Sequence, residues 1–212
     1  MTREIRGRFV TFEGGEGAGK STQVAKLRDW LAAQGRKVVT TREPGGSPGA
    51  ELVRQLLVKG PVERWDATTE ALLHFAARRE HLRSVVWPAL QRGDWVLSDR
   101  FADSTRAYQG YGHGLDLAML DRLYEIAVGR FSPDLTLVFD LPVEVGLERA
   151  TRRKDTETRY EMLPREFHER VRQGFLEIAK NEPQRCAVVD ATRDIDTIAA
   201  TVAGIVGDRL GS

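Results

Sequence analysis

The run Phe9-Val-Thr-Phe-Glu-Gly-Gly-Glu-Gly-Ala-Gly-Lys-Ser-Thr22 constrains the fold more than any other stretch of the chain. Gly14 to Ser21 reads G-x-x-x-x-G-K-S, a loop whose backbone N–H groups turn inward around a polyphosphate. Phe9, Val10 and Phe12 form an apolar, β-prone run before it, and Val24, Leu27 and Leu31 share one helical face after it. The loop therefore joins a strand to a helix N-terminus, where aligned peptide dipoles favour an anion. Lys20 is placed to reach the β- and γ-phosphates, and the Ser21 hydroxyl to ligate Mg²⁺. Gly14, Gly15, Glu16, Gly17, Ala18, Gly19, Lys20, Ser21 and Thr22 are the expected triphosphate contacts.

Strand and helix patterns then alternate to the C-terminus, which argues for a parallel sheet between helices. Strands are expected at 38–41, 95–99, 135–139 and 187–190. A short helix is expected at 48–58 and a long one at 66–91, with Leu72, Leu82, Val85, Val86 and Leu90 on its apolar face and Pro88 bending its end. Further helices are expected at 101–108 and 116–128, from 143, and from 164, the last with Phe167, Val171, Phe175 and Ile178 in register. Asp194 caps a final helix whose stripe is Ile195, Ile198, Ala199, Val202, Ile205 and Val206. The expectation is a three-layer α/β fold of the P-loop NTPase type, with five parallel strands and one domain over 1–212.

Composition narrows the partners. With 32 Lys and Arg against 31 Asp and Glu, the net charge of +1 gives no whole-molecule attraction to nucleic acid or to membranes. The single cysteine, Cys186, excludes an internal disulfide and reads as a buried structural thiol in a reducing compartment. Residues 1–8 are short and charged, unlike a signal peptide, so a cytoplasmic protein is expected.

Ligands of such sheets gather beyond the carboxyl ends of the strands, so the polar residues there carry the chemistry. Asp99 ends an apolar strand and is the candidate carboxylate for Mg²⁺, beside Ser21. Arg42, Arg54 and Arg100 are placed to converge opposite the loop, and guanidinium forks suit a phosphate dianion. The acceptor would then already carry phosphate; with a second pKa near about 6 it is ionised at neutral pH and needs no general base. A hydroxyl acceptor would need one, and Asp99 is the candidate. Segment 149–161, with Arg149, Arg152, Arg153, Lys154 and Arg159, reads as an exposed flap able to close as a lid. His81, His113 and His168 show no ligand spacing.

Four blocks give a family resemblance: F-E-G-G-E-G-A-G-K-S-T at 12–22, T-R-E-P-G-G at 41–46, S-D-R-F-A-D-S-T-R-A-Y-Q-G at 98–110 and P-D-L-T-L-V-F-D-L at 133–141. Along nearly its whole length the chain resembles the bacterial thymidylate kinases. The resemblance implies a homodimer that transfers the γ-phosphoryl of ATP to dTMP with Mg²⁺. It implies that Glu16 meets the sugar 3′-hydroxyl or the metal region, that Arg54 and Arg100 hold the dTMP phosphate with Arg42 nearby, and that Arg78 bonds the thymine carbonyl. Thr105 and Gln109 would contact the base, Tyr108 would crowd the ribose 2′ position, and Arg149 would lie on adenine. Gly17 stands where some relatives carry a catalytic arginine, so the lid would supply that charge, with Arg153 first and Arg152 as second choice. The family usually places a phenylalanine four residues before the thymine-reading arginine; here that position is His74, and Phe75 follows it, so either ring is a candidate to stack on the base. The alternatives are a kinase for another pyrimidine nucleoside monophosphate or for a deoxynucleoside.

Overall fold

A computed structural model of the protein describes residues 7–152 and 159–211. Among these, five strands form one parallel sheet in the order β2-β3-β1-β4-β5: β1 Phe9–Gly14, β2 Val38–Arg42, β3 Trp95–Asp99, β4 Leu135–Asp140 and β5 Cys186–Asp190. The chain leaves central β1 for the β2 edge, returns to β3 beside β1, then crosses to β4 on the other side. That reversal opens a crevice at the carboxyl end of β1, where Phe12 pairs with Asp99 and Gly14 with Phe139.

Alternation along β1 divides the core. Val10 and Phe12 join Leu97, Leu137 and Phe139 against α1 (Lys20–Ala33) and α9 (Ile195–Leu210), through Leu27, Leu31, Val202 and Val206. Phe9 packs on the opposite face against Leu82, Val96 and Phe101. Thr11 and Glu13 share that face and are fully buried, as is Thr136, whose hydroxyl lies 2.8 Å from that of Thr11. Over this polar strip lie α5 (Ala102–Thr105) and α8 (Arg165–Asn181), the latter burying Phe167, Val171, Phe175 and Ile178 as its periodicity predicts.

The other helices are α2 (Pro48–Val58), α3 (Ala67–His81), α4 (Trp87–Gln91), α6 (Leu117–Ala127) and α7 (Val143–Thr151). Ser47 caps α2, Asp66 caps α3 and Asp194 caps α9, each accepting backbone N–H bonds at the first turn. The expected helix at 66–91 is irregular: a π turn, Leu82–Val86, joins α3 to α4 just before Pro88. A second π turn, Arg106–Gly112, continues α5 and carries Tyr108 and Gln109.

Three expectations are corrected. Leu72 is 50 % exposed and Ile195 54 % exposed, so neither belongs to the buried face assigned to its helix. Arg159 is only 4 % exposed, not part of a solvated flap, because four of its bonds end on α2, the 62–64 turn region and α3. Cys186 is buried as expected, and burial pushes its thiol up to about 12.

The phosphate loop is seated on α7 by bare backbone. A Cβ on Gly146 would stand 2.4 Å from the Glu16 carbonyl oxygen, and one on Gly17 would stand 2.0 Å from the Gly146 oxygen. Backbone on both sides cannot yield as a flexible side chain would. Gly146→Ala should therefore cost about 2 kcal/mol, read as a lowered Tm, and should weaken polyphosphate binding by displacing the loop.

Candidate active site

The crevice holds a cavity of about 290 Å³. Its donor end is the phosphate loop. Lys20 donates to the carbonyls of Gly14 at 3.1 Å and Gly15 at 2.8 Å. Burial, then the nearby Arg100 charge, lowers the Lys20 ammonium to about 8, against the pull of Asp99, Glu16 and Glu13. Ser21 Oγ donates to Asp99 Oδ2 at 2.5 Å, so the two expected metal ligands adjoin although 78 residues apart in sequence. Gly17 has φ +66° and no room for a side chain, so the loop cannot itself present an arginine from that position.

Arg100 stands beside the loop. It is the non-glycine residue with positive φ among the described residues, at 70°, a conformation costing about 1–2 kcal/mol. Its guanidinium donates to the Gly14 carbonyl at 2.9 Å, Ser104 Oγ at 3.1 Å, Glu16 Oε1 at 2.9 Å and the Tyr108 hydroxyl at 3.0 Å. The Tyr108 hydroxyl donates in turn to Glu16 Oε1 at 2.7 Å. Burial opposes ionisation of Glu16, but Arg100, Lys20 and the Tyr108 hydroxyl outweigh it and pull the carboxyl down to about 2. Arg54 lines the cavity and donates to the Pro44 carbonyl at 2.7 Å, while Arg42 pairs with Glu51 at 3.2 Å in a more exposed position.

A third part of the wall is built to read a polar edge. Arg78 Nε donates to Glu43 Oε2 at 2.7 Å, and Nη2 to the Phe101 carbonyl at 3.1 Å and Thr105 Oγ1 at 3.0 Å. Glu43 also meets His81 Nδ1 at 2.9 Å, and His81 Nε2 meets Thr41 Oγ1 at 2.7 Å. Thr105 thus stands behind Arg78 rather than on the cavity surface. Gln109 Nε2 donates to Glu70 Oε1 at 2.6 Å. Among the described residues, Arg78 Nη1 and Gln109 Oε1 are buried with no hydrogen-bond partner, a donor and an acceptor on side chains that line the cavity.

His74 lines this cavity; Phe75 is 5 % exposed and packs into the core with Ala71 and Leu120, the Arg78 guanidinium 4.9 Å from its ring. Burial, then the charges of Arg78, Arg100, Arg159 and Arg54, lowers the His74 imidazole to about 3, so it is neutral at working pH. Its Nε2 is hydrogen-bonded to the Tyr160 hydroxyl at 2.9 Å, and the Tyr160 ring meets that of Tyr108 edge-on at 5.6 Å. Arg159 is fixed beside it by Glu70 at 2.5 Å.

Arg149 is exposed near the Ala191 carbonyl, and Arg152 pairs with Glu148 one turn earlier. Arg153, the first choice for the lid charge, and Lys154 lie outside the described residues. Sequence reasoning missed Glu43, Glu70 and Tyr160. Glu43 had a signal, since it sits inside the T-R-E-P-G-G block, but nothing local marks it as buried.

Removing Glu43 leaves Arg78 charged and unpaired in the interior, the two side chains being 2 % and 3 % exposed. Glu43→Ala should cost about 3–5 kcal/mol and weaken binding of a ligand that bonds Arg78 while sparing a polyphosphate held by the loop. Burial opposes ionisation of Glu43, but Arg78 and His81 outweigh it and hold the carboxyl below its ordinary value of 4.5. Its stabilisation is thus complete above pH 4.5 and lost as pH falls below it. Acid titrations of Tm should show that loss in the parent and lack that component in the variant.

The thymidylate kinase family model matches residues 12–202. The chain is 53 % identical over 206 residues to a thymidylate kinase of Caulobacter vibrioides, covering 97 % of this chain and 99 % of the relative. It is 52 % identical over 198 residues to one of Magnetococcus marinus, covering 93 % and 94 %. A crystal structure of thymidylate kinase from Ehrlichia chaffeensis superposes with a TM-score of 0.76 at 35 % identity, covering 95 % of this chain and 99 % of that one. With its phosphate loop, five-stranded parallel sheet and full-length relatives, the chain belongs to the thymidylate kinase family.

Proposed function

We propose that the protein transfers the γ-phosphoryl group of ATP to dTMP, giving ADP and dTDP. The observation that carries this reading is one cavity lined by Lys20 and the phosphate loop and, beside them, by two further cations, Arg54 and Arg100. Two polyanions brought together there have their mutual repulsion offset by fixed charge, which is most of what phosphoryl transfer requires of a protein.

In this reading the loop and Lys20 grip the β- and γ-phosphates, and Arg149 covers the adenine. Arg54 and Arg100 hold the dTMP phosphate, with Arg42 nearby; its ionised oxygen attacks in line, and no base is needed. Arg78 donates to a thymine carbonyl and Gln109 completes the base edge, which gives the two buried partnerless atoms their ligand. His74, not Phe75, presents its ring to the base, since His74 lines the cavity. Glu16 takes the 3′-hydroxyl, and Tyr108 closes the space a 2′-hydroxyl would need. Arg153, or failing it Arg152, brings the final positive charge to the transferring group. Ser21 and Asp99 fit Mg²⁺, a hard ion that takes one or two protein oxygens and keeps phosphate and water ligands. When bound it would neutralise charge between the β- and γ-phosphates.

The chain acts as one domain. Apolar side chains left exposed on neighbouring helices, Leu52 and Leu56 of α2, Leu72 of α3 and Ile126 of α6, support a homodimer through this face. Among the described residues no helix is long and apolar enough to cross a membrane, and we place the enzyme in the cytoplasm.

ADP release measured over dTMP, dUMP, UMP and thymidine should rank dTMP first by kcat/KM, with thymidine not turned over. A preference for UMP, or turnover of thymidine, overturns the assignment. Arg100→Ala should raise the KM for dTMP about tenfold or more, leaving that for ATP unchanged. Arg153→Ala should lower kcat about a hundredfold or more with little change in either KM; an unchanged kcat moves the role to Arg152.

A further inference from the structure

We infer that Glu13, a buried carboxyl on the polar strip of β1, is the positioning residue that sets Arg100 for the acceptor phosphate. The inference rests on the reading that Arg100 holds that phosphate. A backbone at φ 70° persists only where neighbouring groups hold it. Here the Arg100 N–H donates to the Phe12 carbonyl at 2.9 Å, and Ser98 Oγ donates to the Arg100 carbonyl at 2.7 Å. The next peptide is held by Glu13, whose Oε1 accepts the Phe101 N–H at 2.7 Å.

The other carboxyl oxygen reaches the side chain of Arg100 through one intermediary. Ser104 Oγ donates to Glu13 Oε2 at 2.6 Å and accepts from Arg100 Nη1 at 3.1 Å. One residue thus fixes both the turn from which Arg100 departs and the rotation of its guanidinium toward the cavity. Glu13 directly precedes Gly14, whose carbonyl accepts from the same guanidinium at 2.9 Å, so donor loop and acceptor cation share one anchor. An apolar side chain of equal size would leave the Phe101 N–H and the Ser104 hydroxyl without their partner in the interior.

Beside it, Asp103 is held by Arg185 through contacts of 2.7 and 2.9 Å. Burial and the Asp103 charge push the Glu13 carboxyl up to about 8, against the Ser104 bond, Arg100 and the Phe101 N–H. Glutamine is its neutral isostere and keeps a bond at both positions. In a Glu13→Gln variant the new amide oxygen would accept from the Phe101 N–H, and the amide N–H₂ would donate to Ser104 Oγ.

The test compares Glu13→Ala, Glu13→Gln, Ser104→Ala and Arg100→Ala by steady-state kinetics with dTMP and ATP, alongside thermal melts. Glu13→Ala and Ser104→Ala should each raise the KM for dTMP about tenfold, with that for ATP within about twofold. Glu13→Gln should restore the KM for dTMP to within about threefold of the parent. A folded Glu13→Ala with unchanged KM for dTMP, or with both KM values raised equally, overturns the inference. Should Glu13→Ala not fold, an unchanged KM for dTMP in Ser104→Ala overturns it instead. If Arg100→Ala weakens dTMP and the Glu13 and Ser104 variants do not, only this inference fails; if Arg100→Ala has no effect, the reading of the acceptor site fails with it.

Discussion

Like charges crowded into one cavity repel one another, and the site exists because the cations in and behind its wall have carboxylates close by. Arg100 faces Glu16, Arg78 faces Glu43, Arg159 faces Glu70, and Lys20 feels Asp99 and Glu16. In a low-dielectric interior each pairing must be close and fully bonded, or burial costs more than attraction returns. Burial first, and then the neighbouring cations, lower the Lys20 ammonium and the His74 imidazole, so some positive field is left over after the pairing. That residual field is what an incoming phosphate meets.

The partners in these pairs are far apart in the chain, which explains what the sequence could and could not disclose. The phosphate loop, the five strands and the cap at Asp194 are local patterns, complete within a dozen residues, and all were legible. Burial of charge is not local. Nothing local marks Glu13 or Glu70 as buried; their partners Phe101, Ser104, Gln109 and Arg159 come to them across 39 to 91 residues. Arg159 was hidden for the same reason, embedded in a charge run whose composition signals solvent.

Periodicity also has a blind spot where helices change pitch. A template of 3.6 residues per turn cannot register the π turns at Leu82–Val86 and Arg106–Gly112. The second of these re-aims Tyr108 and Gln109, two of the residues that line the cavity. The sequence pattern of α3 also left the choice between His74 and Phe75 open, because adjacent helical residues differ in facing by a rotation that only packing against Ala71 and Leu120 decides.

The bonds that Lys20 makes to the Gly14 and Gly15 carbonyls, and Arg100 to Gly14 and Glu16, have a consequence for selectivity. At rest, the protein's own oxygens occupy the coordination directions that phosphate oxygens would take. An arriving molecule exchanges those contacts rather than adding to them, so a weak or neutral acceptor gains little by entering. Only a multiply charged guest offers more than the incumbent oxygens, and the pocket therefore filters by charge before any feature of the base is inspected.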